Sequence, residues 1–414
     1  MKKVNSILAL IVLCSITCCT SRQSKKTNTE EVAQEGVFVI DVEKAVASAT
    51  KVYHLSDIAE RIEYIPLEFR PECAIGQVAQ VYITQDDIFI LTMGGGSNDL
   101  FRFDKNGKFM NIIGARGNGP GEYILTLYFA VDTTNRQILV SNNYKPEIIV
   151  FNYEGRYLRT IKKDYTHSGH IYFLQETNEL VHLGIPIEFA SPASFFVSIT
   201  DTDNNRILHK KYLVSSMISS DQRAYGGNYT SFQTGNRVLL NDGMSDTIFV
   251  YSQKNLNPYF ILNYGKYKIK LDAMLSLPNN KEALHNYMYT DIVAETSQFL
   301  YLCFYQGNGK KYYLLRYDKY SQEYATFKVK KEEGSPAELF YNDIDGGLSV
   351  LLRAIPKYNQ LARIVDAFDM KETLTSEFFS KSEAKDTQAK ERLKKLVHSL
   401  GDEDNPIIMK ISLK

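Results

Sequence analysis

The sequence predicts an all-β protein built as a closed ring of six four-stranded antiparallel sheets, a six-bladed β-propeller. Residues 100–123, LFRFDKNGKFMNIIGARGNGPGEY, are typical of a β-hairpin followed by a glycine-rich loop. Similar units recur with a spacing of roughly 50 residues, which is typical of propellers and solenoids. The sixth unit lacks one strand, and an N-terminal segment can supply it and so close the ring.

The first hairpin shows the local pattern most clearly. Leu100–Asp104 alternates apolar and polar side chains, as a half-buried strand does. Asn106 and Gly107 supply the turn, because both residue types tolerate the positive φ of a short hairpin. Residues 109–113 return as the second strand, and the next strand is expected near Tyr128. Further turns are predicted at Glu154-Gly155, Asn204-Asn205 and Asn255.

Two inserts with helical composition interrupt the later units. The first covers about residues 271–289 and the second about residues 357–404, where an amphipathic helix is expected to end at Gly401. The sixth unit is predicted to begin at residues 338–355. Pro66 cannot donate to a strand ladder, so residues 62–69 are expected at a sheet edge, paired with residues 405–413.

The N-terminal segment predicts export. Lys2 and Lys3 precede an apolar run of about ten residues, too short to cross a bilayer as a helix. Residues 16–19, ITCC, resemble the lipobox of bacterial lipoproteins. We therefore expect a lipoprotein signal over residues 1–19 with lipid on Cys19, Cys18 being the alternative and a plain secretory signal the other interpretation. The polar residues 20–36 are expected to form a flexible tether before the propeller, residues 37–414.

The composition is that of a globular protein without a charged partner surface. The 414 residues contain 48 Lys and Arg and 48 Asp and Glu, so the formal net charge is zero. No charge excess favours nucleic acid, and none is expected as a partner. The chain is expected to be a monomer. Its 28 Tyr and 22 Phe suit sheets more than helices.

The glycine-rich loop, residues 114–122, contains the candidate ligand-binding residues. Phosphate loops open a helix, whereas strands are predicted on both sides here and no Lys-Ser/Thr follows, so phosphate binding is disfavoured. Connections between blades approach the mouth of the central channel. We therefore expect Arg116, Asn118, Glu122 and Tyr123 to face a ligand there. In the structural alternative, an ion pair between Arg116 and Glu122 braces the loop.

No catalytic or metal-binding motif is recognisable. His167 and His170 form the only close histidine pair, and without nearby Cys, Asp or Glu at ligand spacing they are expected in a solvated loop. No G-x-S-x-G sequence occurs. No metal site and no cofactor is predicted, although a divalent cation held in the channel by several blades stays open.

Other reactive or aromatic residues are interpreted as structural. Cys73 and Cys303 fall in different units and are expected to be separate thiols, although an oxidising envelope would permit a disulfide. Tyrosines cluster in the fifth unit and are expected to pack between blades, with ligand stacking as the alternative. The cluster contains Tyr289, Tyr301, Tyr305, Tyr312 and Tyr313.

The run FDKNGKFMNIIGARGNGPGEY resembles the six-bladed, NHL-like β-propeller lipoproteins of Bacteroides-type bacteria. LSDIAERIEYIPLEF, SDTIFVY and DEDNPIIMKISLK extend the resemblance over nearly the whole chain, while TMGGG departs from it where the family often has Asp. It implies a lipid-anchored protein at the outer membrane or periplasmic face of a Gram-negative envelope. We expect a binding module for a glycan, a peptide or an uptake-system protein; the alternative is a lactonase-like or lyase-like propeller enzyme with a channel metal.

Overall fold

The computed structural model describes most of the chain from residue 36 onwards. The described residues are 36–50, 53–94, 98–165, 169–184, 194–219, 222, 224, 229–276, 280, 282–331, 337–351, 355–357 and 359–414. The predictions for the signal, the lipidated Cys19 or Cys18, most of the tether, and His167 lie outside these residues. In the described part, no helix is both long and apolar enough to cross a membrane.

The N-terminal segment supplies strands to three different sheets. It contains β1 (Phe38–Asp41), α1 (Val42–Ala47), β2 (Tyr53–His54) and β3 (Ala59–Pro66). The Asp41 carboxylate accepts the Lys44 N–H at 2.9 Å and so caps the start of α1.

The first three blades follow directly, and in each the four consecutive strands pair antiparallel. The first blade contains β4 (Val78–Ile83), β5 (Asp87–Thr92), β6 (Leu100–Asp104) and β7 (Phe109–Ile112). A short parallel pair, β8 (Ala115–Arg116) and β9 (Glu122–Tyr123), leads to the second blade. The second blade contains β10 (Thr126–Asp132), β11 (Gln137–Asn142), β12 (Glu147–Asn152) and β13 (Tyr157–Lys162). The third contains β14 (Ile171–Leu174), β15 (Glu179–Leu183), β16 (Val197–Asp201) and β17 (Arg206–Lys210).

The fourth and fifth blades repeat this arrangement with one addition. The fourth contains β18 (Thr230–Thr234), β19 (Arg237–Asn241), β20 (Thr247–Ser252) and β21 (Asn255–Asn263), and β1 joins β21 in parallel as a fifth strand. The helix α2 (Leu271–Ser276) lies in the first predicted insert. The fifth blade contains β22 (Met288–Glu295), β23 (Phe299–Gln306), β24 (Tyr312–Asp318) and β25 (Tyr324–Lys328).

The last two sheets combine the two ends of the chain. A three-stranded sheet joins β2 to β26 (Glu338–Tyr341) and β27 (Val350–Leu351). The last blade has the order β28 (Ile355–Lys357), β29 (Gln360–Val365), β30 (Ile407–Leu413) and then β3 at its edge. Between β29 and β30 lie α3 (Ala367–Thr375), α4 (Glu377–Lys381) and α5 (Thr387–Ser399).

The prediction of six blades is wrong, whereas four-stranded antiparallel blades are confirmed. Over the described residues, seven sheets have three or more strands. The sequence placed residues 338–355 at the start of one final blade, but β26 and β27 leave that blade and form a separate sheet with β2. Phe340 and Val350 are fully buried in a core shared with Ile407 and Met409 of β30. Burial of these side chains favours the additional sheet.

The predicted closure of the ring is confirmed. Strand β3 pairs antiparallel with β30, with Ile62 opposite Ile411 and Ile65 opposite Ile408. Pro66 ends β3 at the edge of the last blade, where its missing N–H costs no ladder bond. The chain therefore locks its two ends into one sheet.

The structure also tests the predictions for the second insert and for the two thiols. The predicted amphipathic helix is α5, which buries Leu393 and Val397 and ends at Ser399, two residues before the predicted Gly401, with Leu400 as its C-cap. Cys73 and Cys303 are buried and free, which confirms separate thiols.

Candidate ligand-binding channel

The first strands of several blades surround a cavity of about 670 Å³, which we call the channel cavity. Its walls come from β4, β10, β14 and β18 and from the β29 and β30 strands of the last blade. The polar and aromatic lining residues are Gln80, Tyr82, Phe129, Thr133, His170, Tyr172, Gln175, Ser231, Phe232, Gln233, Gln360 and Lys410.

Glutamine side chains tie neighbouring blades together along this wall. The Gln80 amide donates to the Phe129 carbonyl at 3.0 Å and accepts the Phe129 N–H at 2.9 Å. Gln233 likewise donates to the Phe173 carbonyl at 2.9 Å. Gln175 donates to the Val131 carbonyl at 2.9 Å. These bonds hold the amides in fixed orientations, as a pre-organised site requires.

An aromatic group occupies one side of the cavity. The His170 and Tyr128 ring centroids lie 4.4 Å apart, and the His170 and Tyr172 rings are nearly parallel with centroids 6.1 Å apart. The Tyr172 hydroxyl is hydrogen-bonded to the Ser231 hydroxyl at 2.7 Å. Burial lowers the pKa of His170 to about 4 and raises the pKa of Tyr172 to about 12, so both side chains are neutral at pH 7.

The wall carries almost no net charge. Among the described residues that line the cavity, Lys410 alone is formally charged at neutral pH. Its Nζ lies 3.2 Å from Oε2 of Glu63, so this charge already has a counter-ion. The arrangement can therefore offer hydrogen bonds and ring surface to a ligand without a strong electrostatic field.

The glycine-rich loop leads into β10, one of the strands that form the cavity wall. It precedes the start of β10, whereas Thr133, which lines the cavity, follows the end of that strand. The strand has seven residues and rises roughly 20 Å over that length. Arg116, Asn118, Glu122 and Tyr123 are not among the described residues that line the cavity. Their role in ligand binding stays a prediction.

Local contacts hold part of the glycine-rich loop in its conformation. The Glu122 carboxylate accepts the Gly119 N–H at 2.8 Å, and a Cβ on Gly117 would meet the same carboxylate at 1.9 Å. Lys145 donates to the Asn118 carbonyl at 3.3 Å. Tyr123 is fully buried in the core between the first two blades, while the Arg116 side chain is exposed.

Sequence reasoning missed most of the channel wall. His170 was expected in a solvated loop, but it is half-buried among tyrosines, so that expectation is wrong for this residue. The sequence did contain one repeated feature of this wall: Gln80 and Gln233 each occupy the first strand of a blade. The fifth-unit tyrosines Tyr289 and Tyr301 pack between blades as predicted: Tyr289 shares a core with Leu240 of the fourth blade, and the Tyr301 ring centroid lies 6.1 Å from that of Phe340 in the three-stranded sheet. Tyr289, Tyr305 and Tyr312 also stack in a row within the fifth blade, with centroids 5.5 and 5.6 Å apart.

A second cleft, of about 740 Å³, lies between the three-stranded sheet and the helices of the second insert. Asp343 accepts hydrogen bonds there from the Ser56 hydroxyl at 2.6 Å and from Lys385, whose Nζ lies 2.8 Å away. Burial would raise the pKa of Asp343, but the hydrogen bonds from Lys385 and Ser56 outweigh it and hold that pKa below its usual value. These charges are satisfied within the protein, so the channel cavity is the better candidate site.

Within the part of the chain that the structure describes, no three His, Cys, Asp or Glu residues are grouped so that they could hold a metal ion.

Solved structures of two Bacteroides proteins are similar to this chain. A crystal structure from Bacteroides fragilis, of a protein described as exported, aligns with a TM-score of 0.64 and 18% identity and covers 92% of this chain and 100% of its own. A member of the DUF4221 family from Bacteroides vulgatus aligns with a TM-score of 0.48 and 10% identity, covering 86% of this chain and 97% of its own. No curated protein sequence matches the chain.

The family itself follows from a sequence match. The model of the domain of unknown function DUF4934 matches residues 37–412, which is nearly the whole described structure. This match does not place the chain in the NHL-like family that the glycine-rich run resembles. The protein is a β-propeller that belongs to the DUF4934 family.

Proposed function

We propose that the protein is an exported binding module that holds a small ligand in the channel cavity. The cavity is the observation that carries this proposal, because its volume of about 670 Å³ is typical of small-molecule sites. Fixed amides beside aromatic rings are the groups that such sites use to orient a ligand. A glycan, a peptide or a component of a nutrient-uptake system would engage the protein there.

Two observations support export of the protein to the cell envelope. The basic residues and short apolar run at the N-terminus predict an export signal. The structural neighbour from Bacteroides fragilis is described as an exported protein. We place the chain at the outer membrane or periplasmic face of a Gram-negative envelope, anchored by lipid on Cys19 or alternatively Cys18. Mass spectrometry of the mature N-terminus tests the anchor, and a mature chain without lipid would refute it.

Binding can be tested on purified protein with glycan and peptide arrays followed by calorimetry. We expect a ligand with wild-type protein and at least a tenfold loss of affinity in Tyr172→Ala, which removes a ring of the wall and its bond to Ser231. Lys385→Ala in the second cleft is the matched control and should bind as wild type. Folded protein that binds nothing, or binding that Tyr172→Ala leaves unchanged, would refute the proposal.

The enzyme alternative has its own measurement. Metal analysis of the purified protein after dialysis would redirect the proposal if it found one tightly held divalent cation per chain. In that case a propeller enzyme of the lactonase-like or lyase-like kind would replace the binding module.

A further inference from the structure

We infer that the ligand of the channel cavity is an uncharged carbohydrate of one to a few sugar units. This inference rests on the proposed function, because it takes the channel as the binding site. It depends on three properties of the wall: its charge, its hydrogen-bonding groups and its rings.

The charge of the wall disfavours ionic ligands. A charged group loses much solvation free energy on entering a cavity unless an opposite charge meets it there. Lys410 is the one charge among the described lining residues, and Glu63 already compensates it at 3.2 Å. A carboxylate ligand would have to compete with Glu63, and an ammonium ligand would find no counter-ion among those lining residues. Peptides with free termini and acidic sugars are therefore poor candidates.

The polar groups of the wall match hydroxyls. An amide has two N–H donors and two acceptor lone pairs, and a hydroxyl both donates and accepts. The two bonds between Gln80 and Phe129 use one N–H and one lone pair, so the amide keeps one of each for a ligand. A wholly apolar ligand would desolvate such groups without replacing their bonds to water, which is unfavourable. Ligands rich in hydroxyl groups satisfy them.

The rings of the wall suit the other surface of a sugar. Tyr82, His170 and Tyr172 all line the cavity. A sugar ring presents apolar C–H groups on its faces and hydroxyls around its edge, so it can pack on aromatic surface while its edge bonds to amides. Because His170 stays neutral well below pH 7, this surface keeps the same charge across the range of an ordinary binding assay.

The test is a panel of matched ligands measured by calorimetry at pH 7. It contains neutral mono- and oligosaccharides, the same sugars with a uronic acid or amino group, and short peptides. We expect the neutral sugars to bind, their charged counterparts to bind at least tenfold more weakly, and Tyr172→Phe to weaken neutral-sugar binding through loss of its hydroxyl. A double variant, Glu63→Gln with Lys410→Gln, removes the ion pair and shows whether a charged ligand uses it. Lys385→Ala, in the second cleft, is the control that should bind neutral sugars as wild type does.

The outcomes separate the two proposals. If charged sugars or peptides bind more tightly, and the double variant loses that binding, the carbohydrate assignment is overturned while the channel stays the binding site. If no ligand in the panel binds, or if no channel variant changes the affinity, the channel proposal fails and the carbohydrate assignment fails with it. Thermal melts of each variant show that a loss of binding is not a loss of fold.

Discussion

At the scale of single residues, a buried carboxylate joins two neighbouring blades. Glu295 is fully buried at the end of β22, where its Oε1 accepts from Arg237 at 2.7 Å and from the Tyr259 hydroxyl at 2.9 Å. Lys319 donates to the same atom at 3.2 Å. The fourth and fifth blades thus share one carboxylate. Such a network contributes specificity more than net stability, but breaking it leaves buried charges without partners.

Neutralising this carboxylate should therefore destabilise the protein strongly. We expect Glu295→Gln to lower the free energy of unfolding by about 3 kcal/mol, because the buried Lys319 loses its counter-ion. Glu391→Gln is the control, since Glu391 pairs with Lys394 at 2.6 Å on the exposed face of α5 and its loss should leave the free energy of unfolding nearly unchanged. Urea denaturation at pH 7 measures both. Equal losses in the two variants would contradict the role given to the network.

Burial of His182 should make the stability of the folded protein depend on pH. It is 1% exposed, its Nε2 lies 3.2 Å from the Thr200 hydroxyl, and burial lowers its pKa to about 3. The unfolded chain takes up this proton near pH 6.5, whereas the folded chain does so only near pH 3, so the stability contribution present above pH 6.5 is lost as the pH falls. Between pH 7.5 and pH 5 the loss from this residue should be about 2 kcal/mol.

The measurement compares unfolding free energies at those two pH values. His182→Gln should remove about 2 kcal/mol of the difference between pH 7.5 and pH 5, because glutamine does not titrate. His398→Gln, at an exposed position of α5, should leave the difference unchanged. A wild-type slope that persists in His182→Gln would show that other groups cause it.

At the scale of elements, the same kind of turn joins two pairs of neighbouring blades. Gly107 closes the β6–β7 hairpin with φ +85°, and a Cβ there would lie 2.0 Å from the Pro66 carbonyl at the end of β3. Gly155 closes the β12–β13 hairpin with φ +81°, and a Cβ there would lie 2.3 Å from the Ile112 carbonyl at the end of β7. In both cases the tip of a hairpin packs against the outer strand of the adjoining blade, so the glycine serves the turn and the blade contact together.

This double role predicts a large effect of adding one methyl group. Gly107→Ala should cost at least about 2 kcal/mol, from the unfavourable φ and from the displaced backbone of β3. Gly76→Ala, where a Cβ meets nothing within 4 Å, should be neutral or slightly stabilising. Thermal denaturation distinguishes them. A Gly107→Ala protein as stable as the Gly76→Ala protein would show that the contact with β3 relaxes freely.

At the scale of the whole molecule, one sheet joins the two ends of the chain. Strand β30 pairs with β29 on one side and with β3 on the other, so it joins the C-terminal part of the chain to the N-terminal segment. Closure also protects sheet edges that an open ring would expose. Removal of this one strand should therefore affect every blade, not the last one alone.

Truncation tests this dependence. A chain that ends at Pro406 lacks β30, and we expect it to lose the cooperative unfolding transition and to aggregate, because β3 and β29 lose their partner. A chain that begins at residue 36 keeps every strand described and should unfold in one transition. Calorimetry and size-exclusion chromatography report the result. A soluble, cooperatively folded protein without β30 would contradict the importance of closure.

Local pattern in the sequence determined the hairpins and the four-stranded blades, since alternation and turn residues act within a few residues. The pairing of residues 62–69 with the C-terminal strand was predicted from the strand that the last unit lacks, with Pro66 indicating an edge position. Local pattern alone did not reveal that residues 338–351 would join Tyr53–His54, because such a pairing is only two residues long and parallel.

The tertiary structure alone decided the channel. Gln80 meets Phe129 and Gln233 meets Phe173, contacts that join residues 49 and 60 positions apart. Their formation depends on the angle between neighbouring blades, which no short stretch of sequence specifies. The same holds for the neutral state of His170, since burial by other blades sets its pKa. The sequence thus determined the blades, and their packing around a common axis determined which side chains a ligand can meet.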